Sequence, residues 1–310
     1  MKKKIISLPT FVSGLFLFGL LLLSGCPQDE YAESDPEVLN KWARSNIYYD
    51  LASGSVTFAE TGTDKQGYQG LFFKWGSLVG IAAGANGAFS GETYLYIPDL
   101  GTGKYYKVKS SEVSTSYGDG NSPASLAVRT YATSASNGDW ENIPYASSAD
   151  IDATAAGRGD NRLTTSSASL YADYKGDICK FLSAKKSASG LTASWVLPVS
   201  NEFSAGTGPI PSFEYSDFNS NDPDGTASNS TGLYTFTYSA SSELVIFPAG
   251  GFRYEYGGGR LTNVGENGFY WSSSTDREAN AYLLNFYEDV VAPDDQYNNG
   301  VGMNVRCVRE

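Results

Sequence analysis

The chain has 310 residues, a formal charge of −12 and no histidine. The missing histidine excludes Ser-His-Asp and Cys-His catalysis, histidine base chemistry and histidine metal ligation, and the negative charge argues against nucleic acid or an anionic membrane surface as partner. Only 18% of residues are charged, whereas Gly numbers 34 and Tyr 22, a composition that suits a loop-rich β protein outside the cell.

Lys2, Lys3 and Lys4 make a basic start, Ile5 to Leu23 an apolar run, and Leu23-Ser24-Gly25-Cys26 reads as a lipobox. Residues 1–25 are then a leader cut before Cys26, whose thiol takes a diacylglycerol. A plain transmembrane anchor is the alternative, but the apolar run stops sharply at the small-small-Cys triplet. Each buried methylene adds about 0.8 kcal/mol, so two or three acyl chains hold a protein on a bilayer. Losing the three lysines with the leader takes the charge from −12 to −15. Residues 26–36, with Asp29, Glu30, Glu33 and Asp35, read as an acidic tether. The tether looks like the acidic export signals of Bacteroidetes surface lipoproteins; a solvated linker without an address is the alternative. The expectation is an outer-membrane, lipid-anchored protein facing the exterior, touching the membrane through its lipid alone.

Asp35-Pro36 opens a predicted helix to about Ser45, with Asp as N-cap and Pro at the first helical position. Strands are expected at Ser55 to Glu60, Leu71 to Trp75, Glu92 to Pro98 and Lys104 to Lys109. Ser110 to Ser169 has weak periodicity and reads as a surface insertion with one ordered patch at Trp140 to Tyr145. Asp173 to Lys186 reads as an amphipathic helix with Ile178, Phe181 and Leu182 inward. Trp195 to Pro198 is a short strand, and Ser200 to Phe203 starts a second helix. Gly206 to Gly232 is a further polar insertion. Six strands follow: Leu233 to Tyr238, Glu243 to Phe247, Phe252 to Tyr256, Phe269 to Ser272, Ala279 to Tyr287 and Gly302 to Arg309.

Six blocks stand out in order: Gly70-Leu-Phe-Phe-Lys-Trp-Gly-Ser77, Asp177-Ile-Cys-Lys-Phe-Leu182, Trp195-Val-Leu-Pro-Val-Ser-Asn-Glu-Phe203, Phe247-Pro-Ala-Gly-Gly-Phe-Arg253, Tyr270-Trp-Ser-Ser-Ser274 and Val305-Arg-Cys-Val-Arg309. Together they resemble the Fibrobacter succinogenes major paralogous domain family of Bacteroidetes lipoproteins. That family is similar to the C-type lectin-like fold. The resemblance implies an α+β class: a small twisted antiparallel sheet, two flanking helices, and long loops forming a ligand face. One such domain is expected over residues 37–310, with insertions near 110–169 and 206–232. With Cys26 lipidated, Cys179 and Cys307 remain, and an oxidising location favours pairing them. C-type lectin-like domains often join the first helix to the last strand in this way; two separate buried thiols are the alternative.

The sequence offers little chemistry. The close cysteine pair of formylglycine-generating enzymes is absent, and so are the sugar-binding signatures of calcium-dependent lectins. Asp217 to Gly225 is rich in oxygen ligands, but Asp222 stands where an EF-hand needs glycine and Ser228 where it needs glutamate; Asx-turns account for the loop as well. No metal or cofactor is expected, and no enzymatic activity. Tyrosine and asparagine, however, crowd the last sixty residues. Trp271 and Phe286 read as core. Tyr254, Tyr256, Tyr282, Tyr287, Tyr297, Asn298 and Asn299 read as ligand contacts, because tyrosine offers a broad ring and a hydroxyl at low entropy cost. The ligand is expected to be a glycan or a protein at the cell surface. A structural or adhesive part of a surface assembly, such as a pilus tip, is the second reading, and a carboxylate-based hydrolase the third. The same region has the residue types that adenine-directed retroelement diversification produces, although β loops favour Asn, Asp and Ser in any case.

The lipobox has a direct consequence. The protein is expected to partition into the detergent phase, and Cys26→Ala to move it to the aqueous phase. Acylation persisting in the substituted protein, read by mass spectrometry, would remove the basis of the localisation.

Overall fold

Trp42 to Tyr48 are seven consecutive buried residues, a pattern that neither a surface helix nor a half-exposed strand produces. In the computed structural model residues 42–47 thread through the interior as irregular chain and enter a strand at Tyr48. The structure describes residues 41–85, 93–109, 143–147, 150–152, 161–163, 174–204, 222–227, 233–237, 244–254, 259–276, 279–288 and 290–310. The chain divides into Met1–Glu33 and Ser34–Glu310, and all described residues belong to the second unit.

The described strands fall into six antiparallel sheets. The largest has five strands: β7 (Ile151–Asp152), β8 (Asn161–Leu163), β14 (Asn267–Thr275), β15 (Asn280–Tyr287) and β16 (Val290–Asn298), in the order β16-β15-β14-β8-β7. A four-stranded sheet joins β3 (Phe73–Lys74), β12 (Phe252–Arg253), β13 (Leu261–Thr262) and β17 (Gly302–Met303) in the order β13-β12-β17-β3. A third sheet holds β4 (Gly80–Ile81), β5 (Tyr94–Pro98) and β6 (Tyr105–Lys109). Three pairs complete the set: β1 (Tyr48–Asp50) with β2 (Ser55–Thr57), β9 (Trp195–Val196) with β18 (Val308–Arg309), and β10 (Leu233–Thr237) with β11 (Leu244–Pro248). Helices among the described residues are α1 (Ile178–Ala184), α2 (Lys186–Ser189) and α3 (Ser200–Ser204).

The β14–β15 pair is buried on both faces. Phe269, Trp271, Ala281 and Leu283 join the main apolar cluster with Trp75, Trp195, Phe181 and Met303. Tyr270, Leu284 and Phe286 join a second cluster with Trp42, Phe203, Phe247 and Val308. This explains why Phe-Tyr-Trp and Leu-Leu run consecutively instead of alternating with polar residues. Gly268 is required here, because a Cβ at that position would collide with the Phe286 ring.

Between the sheets lies a buried polar hub. Arg306 is fully buried, and its Nε donates to Asn46 Oδ1 (3.0 Å), Nη1 to Ala43 O (3.1 Å) and Nη2 to Ile246 O (2.7 Å). Its guanidinium also lies 4.8 Å from the Phe247 ring centroid. Asn46 Nδ2 donates to Gln69 O (2.8 Å) and Tyr270 Oη (3.1 Å), and Tyr270 Oη donates to Pro248 O (2.6 Å). Asn304 Nδ2 donates to Gln69 O (3.0 Å) and Leu71 O (3.1 Å). A second buried guanidinium, Arg253, donates to Ala82 O (2.8 Å from Nε) and Gly259 O (2.9 Å). Burial pushes the two guanidinium pKa values down, to about 10 for Arg306 and about 9 for Arg253, and both stay cationic at neutral pH.

The Cys179–Cys307 disulfide joins α1 to the residue before β18 across a separation of 128 residues, with both sulfurs buried. Of the two alternatives left by the sequence, the structure has the pairing. In the chain-entropy picture a loop of that size constrains the unfolded chain by about 4 to 5 kcal/mol, and often less in practice.

The expected α+β, C-type lectin-like class is corrected. The described residues are mainly β, in several small antiparallel sheets, and the three helices have only 7, 4 and 5 residues. Local chemistry explains the shortfall. The helix expected from Asp173 cannot start there, since Tyr174 (φ 58°) and Gly176 (φ 141°) hold backbone conformations a helix does not use. It starts after Asp177, whose Oδ1 caps the Lys180 amide (3.0 Å), and α2 stops at Gly190 in the left-handed region. Of the helix expected over 35–45, residues 41–45 are described and are not helical; Trp42 bridges Val308 instead, and Ala43 N donates to Cys307 O (2.9 Å). Residues 35–40 lie outside the described residues.

Two polar stretches also carry more structure than expected. Strands β7 and β8 lie within 110–169, where Ile143 and Ala146 are buried as well. In the second insertion, Asp222 to Ala227 is stitched into the core: Asp224 O accepts from Tyr49 N (2.9 Å), and Gly225 O from Gly70 N (3.0 Å). Asp224 Oδ1 accepts from Tyr96 Oη (2.6 Å) and pairs with Lys107 Nζ (2.6 Å). Asp222 caps the Asp224 amide (3.0 Å) and bonds Thr226. The described end of the acidic loop is therefore committed to the fold through Asx-turn chemistry. Residues 217–221 lie outside the described residues.

Two consequences are measurable. Arg306→Lys replaces a fork that reaches three segments with a point charge that cannot. It is expected to cost about 3 kcal/mol in urea unfolding; a loss under about 1 kcal/mol would show that the hub does not organise the core. The second concerns Asp177, a buried carboxyl raised from 3.8 to about 6 by desolvation, against the Leu197, Lys180 and Cys179 amides that favour its charge. Below about pH 4 both native and unfolded states hold the proton. Between about pH 4 and 6 the native state holds a proton that the unfolded chain has lost, so this group's contribution to stability falls by about 1.4 kcal/mol per pH unit. Above about 6 its contribution is constant. Carbon-13 NMR of the Asp177 carboxyl should show a midpoint near 6, and a midpoint at or below 4 would refute the assignment.

Candidate functional site

Strand alternation sorts the predicted contacts onto two faces of the β14–β15–β16 sheet. On the first face, Phe269 stands opposite Asn285 and Asn285 opposite Ala292; Asn267 stands opposite Tyr287 and Tyr287 opposite Val290. Further along, Ala281 pairs with Tyr297. Phe252 of β12 packs on this face, its ring 4.8 Å from Phe269 and 5.8 Å from Tyr297. Tyr254 follows Phe252 by two residues, and their rings lie 6.0 Å apart. The result is an aromatic platform whose base is buried and whose outer members meet solvent. Tyr254 is 40% exposed, Tyr287 39% and Val290 38%. Tyr297 is half-buried.

The opposite face carries Tyr282, half-buried and paired with Gln296, and Asn298, paired with Asn280. These two do not share the platform. Asn298 Oδ1 accepts from Gly300 N (2.7 Å), which shapes the turn after β16. Asn299 is 3% exposed; its amide donates to Ala279 O (2.9 Å) and its Nδ2 to Ala146 O (3.3 Å), so it serves the fold and does not meet solvent. Tyr256 and Cys26 lie outside the described residues. Cys179 and Cys307 form the disulfide already described.

The structure adds residues that the sequence reading passed over. Asn285 Nδ2 donates to Asp295 Oδ2 (2.9 Å), joining β15 to β16 beside the platform, while Asn285 Oδ1 has no hydrogen-bond partner. Val290 is exposed at the start of a strand concealed by Pro293, Asp294 and Asp295. These are residues that a central strand excludes and an edge strand tolerates. The register slips between Leu283 and Asn285, which sets Pro293 and Asp294 against Leu284 alone. The proline, the charges and the bulge together blunt the edge against pairing with another chain. Glu288, at φ 46°, makes the turn between Tyr287 and Val290; a non-glycine residue in the left-handed region was not readable from composition.

The electrostatics of the platform differ from those of the core. Carboxylates around it are exposed: Glu266 precedes Asn267, Glu288 follows Tyr287, and Asp294 lies on β16. No group of three or more His, Cys, Asp or Glu side chains among the described residues could hold a metal ion. Another acidic group, Glu60, illustrates a carboxylate committed to structure. It accepts from the Thr192 amide and hydroxyl, the Ala193 amide and Trp195 Nε1. Burial works against its charge, but those four donors outweigh it and hold the carboxyl below its ordinary range.

A family model described as a domain of unknown function (DUF8237) matches residues 230–308. That stretch contains β10 to β17, the hub residues Tyr270, Asn304 and Arg306, and the whole platform. No curated protein matches the chain. No solved structure matches it either.

Proposed function

We propose that this chain is a lipid-anchored surface protein of non-enzymatic type, and that it binds a partner through the aromatic platform of its C-terminal sheet. The observation that carries this reading is the exposure of Tyr254, Tyr287 and Val290 around a base formed by Phe252 and Phe269. Exposed large apolar side chains among the described residues are Leu51, Tyr145, Tyr254, Tyr287 and Val290, and three of these five belong to the platform. Isolated exposed rings need no explanation, whereas a grouped set on a rigid sheet marks a contact surface. Tyrosines seated on a buried base lose little freedom on binding, which keeps the entropy cost low. The lipid site at Cys26 and the acidic tether expected at residues 26–36 fit such a surface displayed outside the cell. The resemblance to the major paralogous domain family supports a lipoprotein context without naming a ligand.

The test is a screen of full-length, detergent-solubilised protein against arrays of glycans and extracellular proteins, followed by substitution. Tyr254→Ala and Tyr287→Ala are each expected to weaken the captured interaction about tenfold, or roughly 1.4 kcal/mol, with the melting temperature nearly unchanged. Full affinity in both variants, or a loss that tracks unfolding, would place binding elsewhere.

A further inference from the structure

We infer that residues 41–47 are a mechanical latch, which passes a pull on the tether to the platform through β18 and the Arg306 hub; this rests on the tether and platform readings above. The tether continues along the chain into Lys41. There the segment pairs with β18 and the residue before it. Arg309 N donates to Lys41 O (2.7 Å), Ala43 N donates to Cys307 O (2.9 Å), and Trp42 bridges Val308 between them. The other edge of β18 is held as well. Val308 pairs with Val196 and Arg309 with Trp195 of β9, and Glu310 N donates to Ser194 O (2.9 Å). Cys307 is bonded covalently to Cys179 of α1. Strand β18 therefore cannot follow the segment outward while β9 and α1 stay in place.

Side chains lock the same pairing. Trp42 is 4% exposed; its ring stacks on Phe203 of α3 (5.4 Å, 26° between planes) and meets Phe247 of β11 edge-on (5.4 Å). Lys41 pairs with Glu202 of α3. Deeper in, Arg306 donates to Ala43 O and to Asn46, Arg44 N donates to Ala59 O (2.7 Å), and Ile47 O accepts from Leu71 N (2.7 Å). From β18 the route to the platform is short. Asn304 O accepts from Trp271 N (3.1 Å) and Asn304 N donates to Phe269 O (3.1 Å), both on β14, and β14 pairs with β15, which carries Tyr287. Gly302 pairs with Arg253, the residue before Tyr254. The load thus travels through residues 302–309 and bypasses residues 48–177, although the chain itself runs through them. A tether entering at a peripheral hairpin would peel the fold away bond by bond before the load reached a bound partner. Here the first element loaded is tied to three others. Forced unfolding is governed by the unfolding barrier, and bonds that must break together in a dry interior raise it.

The test is single-molecule pulling on the full chain carrying Cys26→Ala, which removes the lipid. One handle is attached at residue 287. The other is placed at the amino terminus or, for comparison, at residue 51, which is 71% exposed and lies past the latch. At equal loading rate, rupture from the amino terminus is expected to need at least about 1.5 times the force of rupture from residue 51. Trp42→Ala should lower the amino-terminal force by a larger fraction than the residue-51 force, whereas a merely structural tryptophan would lower both alike. Equal forces in the two geometries would overturn the inference without any change to the latch residues. An equal fractional loss in the Trp42→Ala protein would overturn it too. Ligand binding is not read, so failure of the latch leaves the platform standing, and failure of the platform in its own test leaves this measurement standing.

Discussion

Arg306 is a full charge with no solvent, and its placement constrains nearly everything around it. A guanidinium in that position must have its donors satisfied, because an unpaired buried charge costs several kcal/mol. Its partners come from the threaded N-terminal segment through Ala43 and Asn46, and from β11 through Ile246. Asn46 in turn reaches Gln69 and Tyr270, and Tyr270 reaches Pro248. Several of the described sheets have only two short strands, and apolar packing alone gives such pairs little orientation. Directional bonds to irregular backbone supply it. Asn304 shows how tight the fit is: its Oδ1 sits where a Cβ on Gly250 would be, so the residue facing it can only be glycine. The carboxamide spends its donors on Gln69 and Leu71 and leaves that oxygen without a partner.

This also explains which parts of the fold were legible. Residues with strong local signals read correctly as elements: Trp195-Val196 as a strand, Leu244 to Pro248 as a strand within a residue of its expected span, and Ile178, Phe181 and Leu182 as one buried helix face. Trp271 and Phe286 read correctly as core. The class did not read correctly, because it depended on helix length, and helix length was cut by positive-φ residues that look ordinary in sequence. Tyr174 has no local cue for φ 58°. Strand β16 was hidden by Pro293 and its aspartates. Residues 41–45 read as the end of a helix capped at Asp35 because a segment buried on every side has no period of its own to contradict that reading.

The platform was partly legible for the same reason. Tyrosine enrichment marked the stretch in which Tyr254, Tyr287 and Tyr297 fall on one face around Phe252 and Phe269. Sequence alone could not divide the set by face, since that requires the register of β15 against β14. It could not separate Asn298 and Asn299 from surface contacts either, because an asparagine shaping a turn and an asparagine meeting a ligand look alike in sequence. The structure separates them by what their amides bond.

The blocks that carry the family resemblance turn out to be structural. Phe247 stacks on the hub, Gly250 admits Asn304, Arg253 and Arg306 tie separate segments, and Cys307 closes the disulfide. A chain that keeps such residues keeps the scaffold, whatever its ligand. Both faces of the β14–β15 pair are packed against apolar clusters. Tyr254, Tyr287 and Val290 are among the more exposed apolar residues and make no bond to the hub, so substitutions there are expected to leave it intact. These blocks therefore account for the scaffold, and the exposed residues of the platform lie largely outside them.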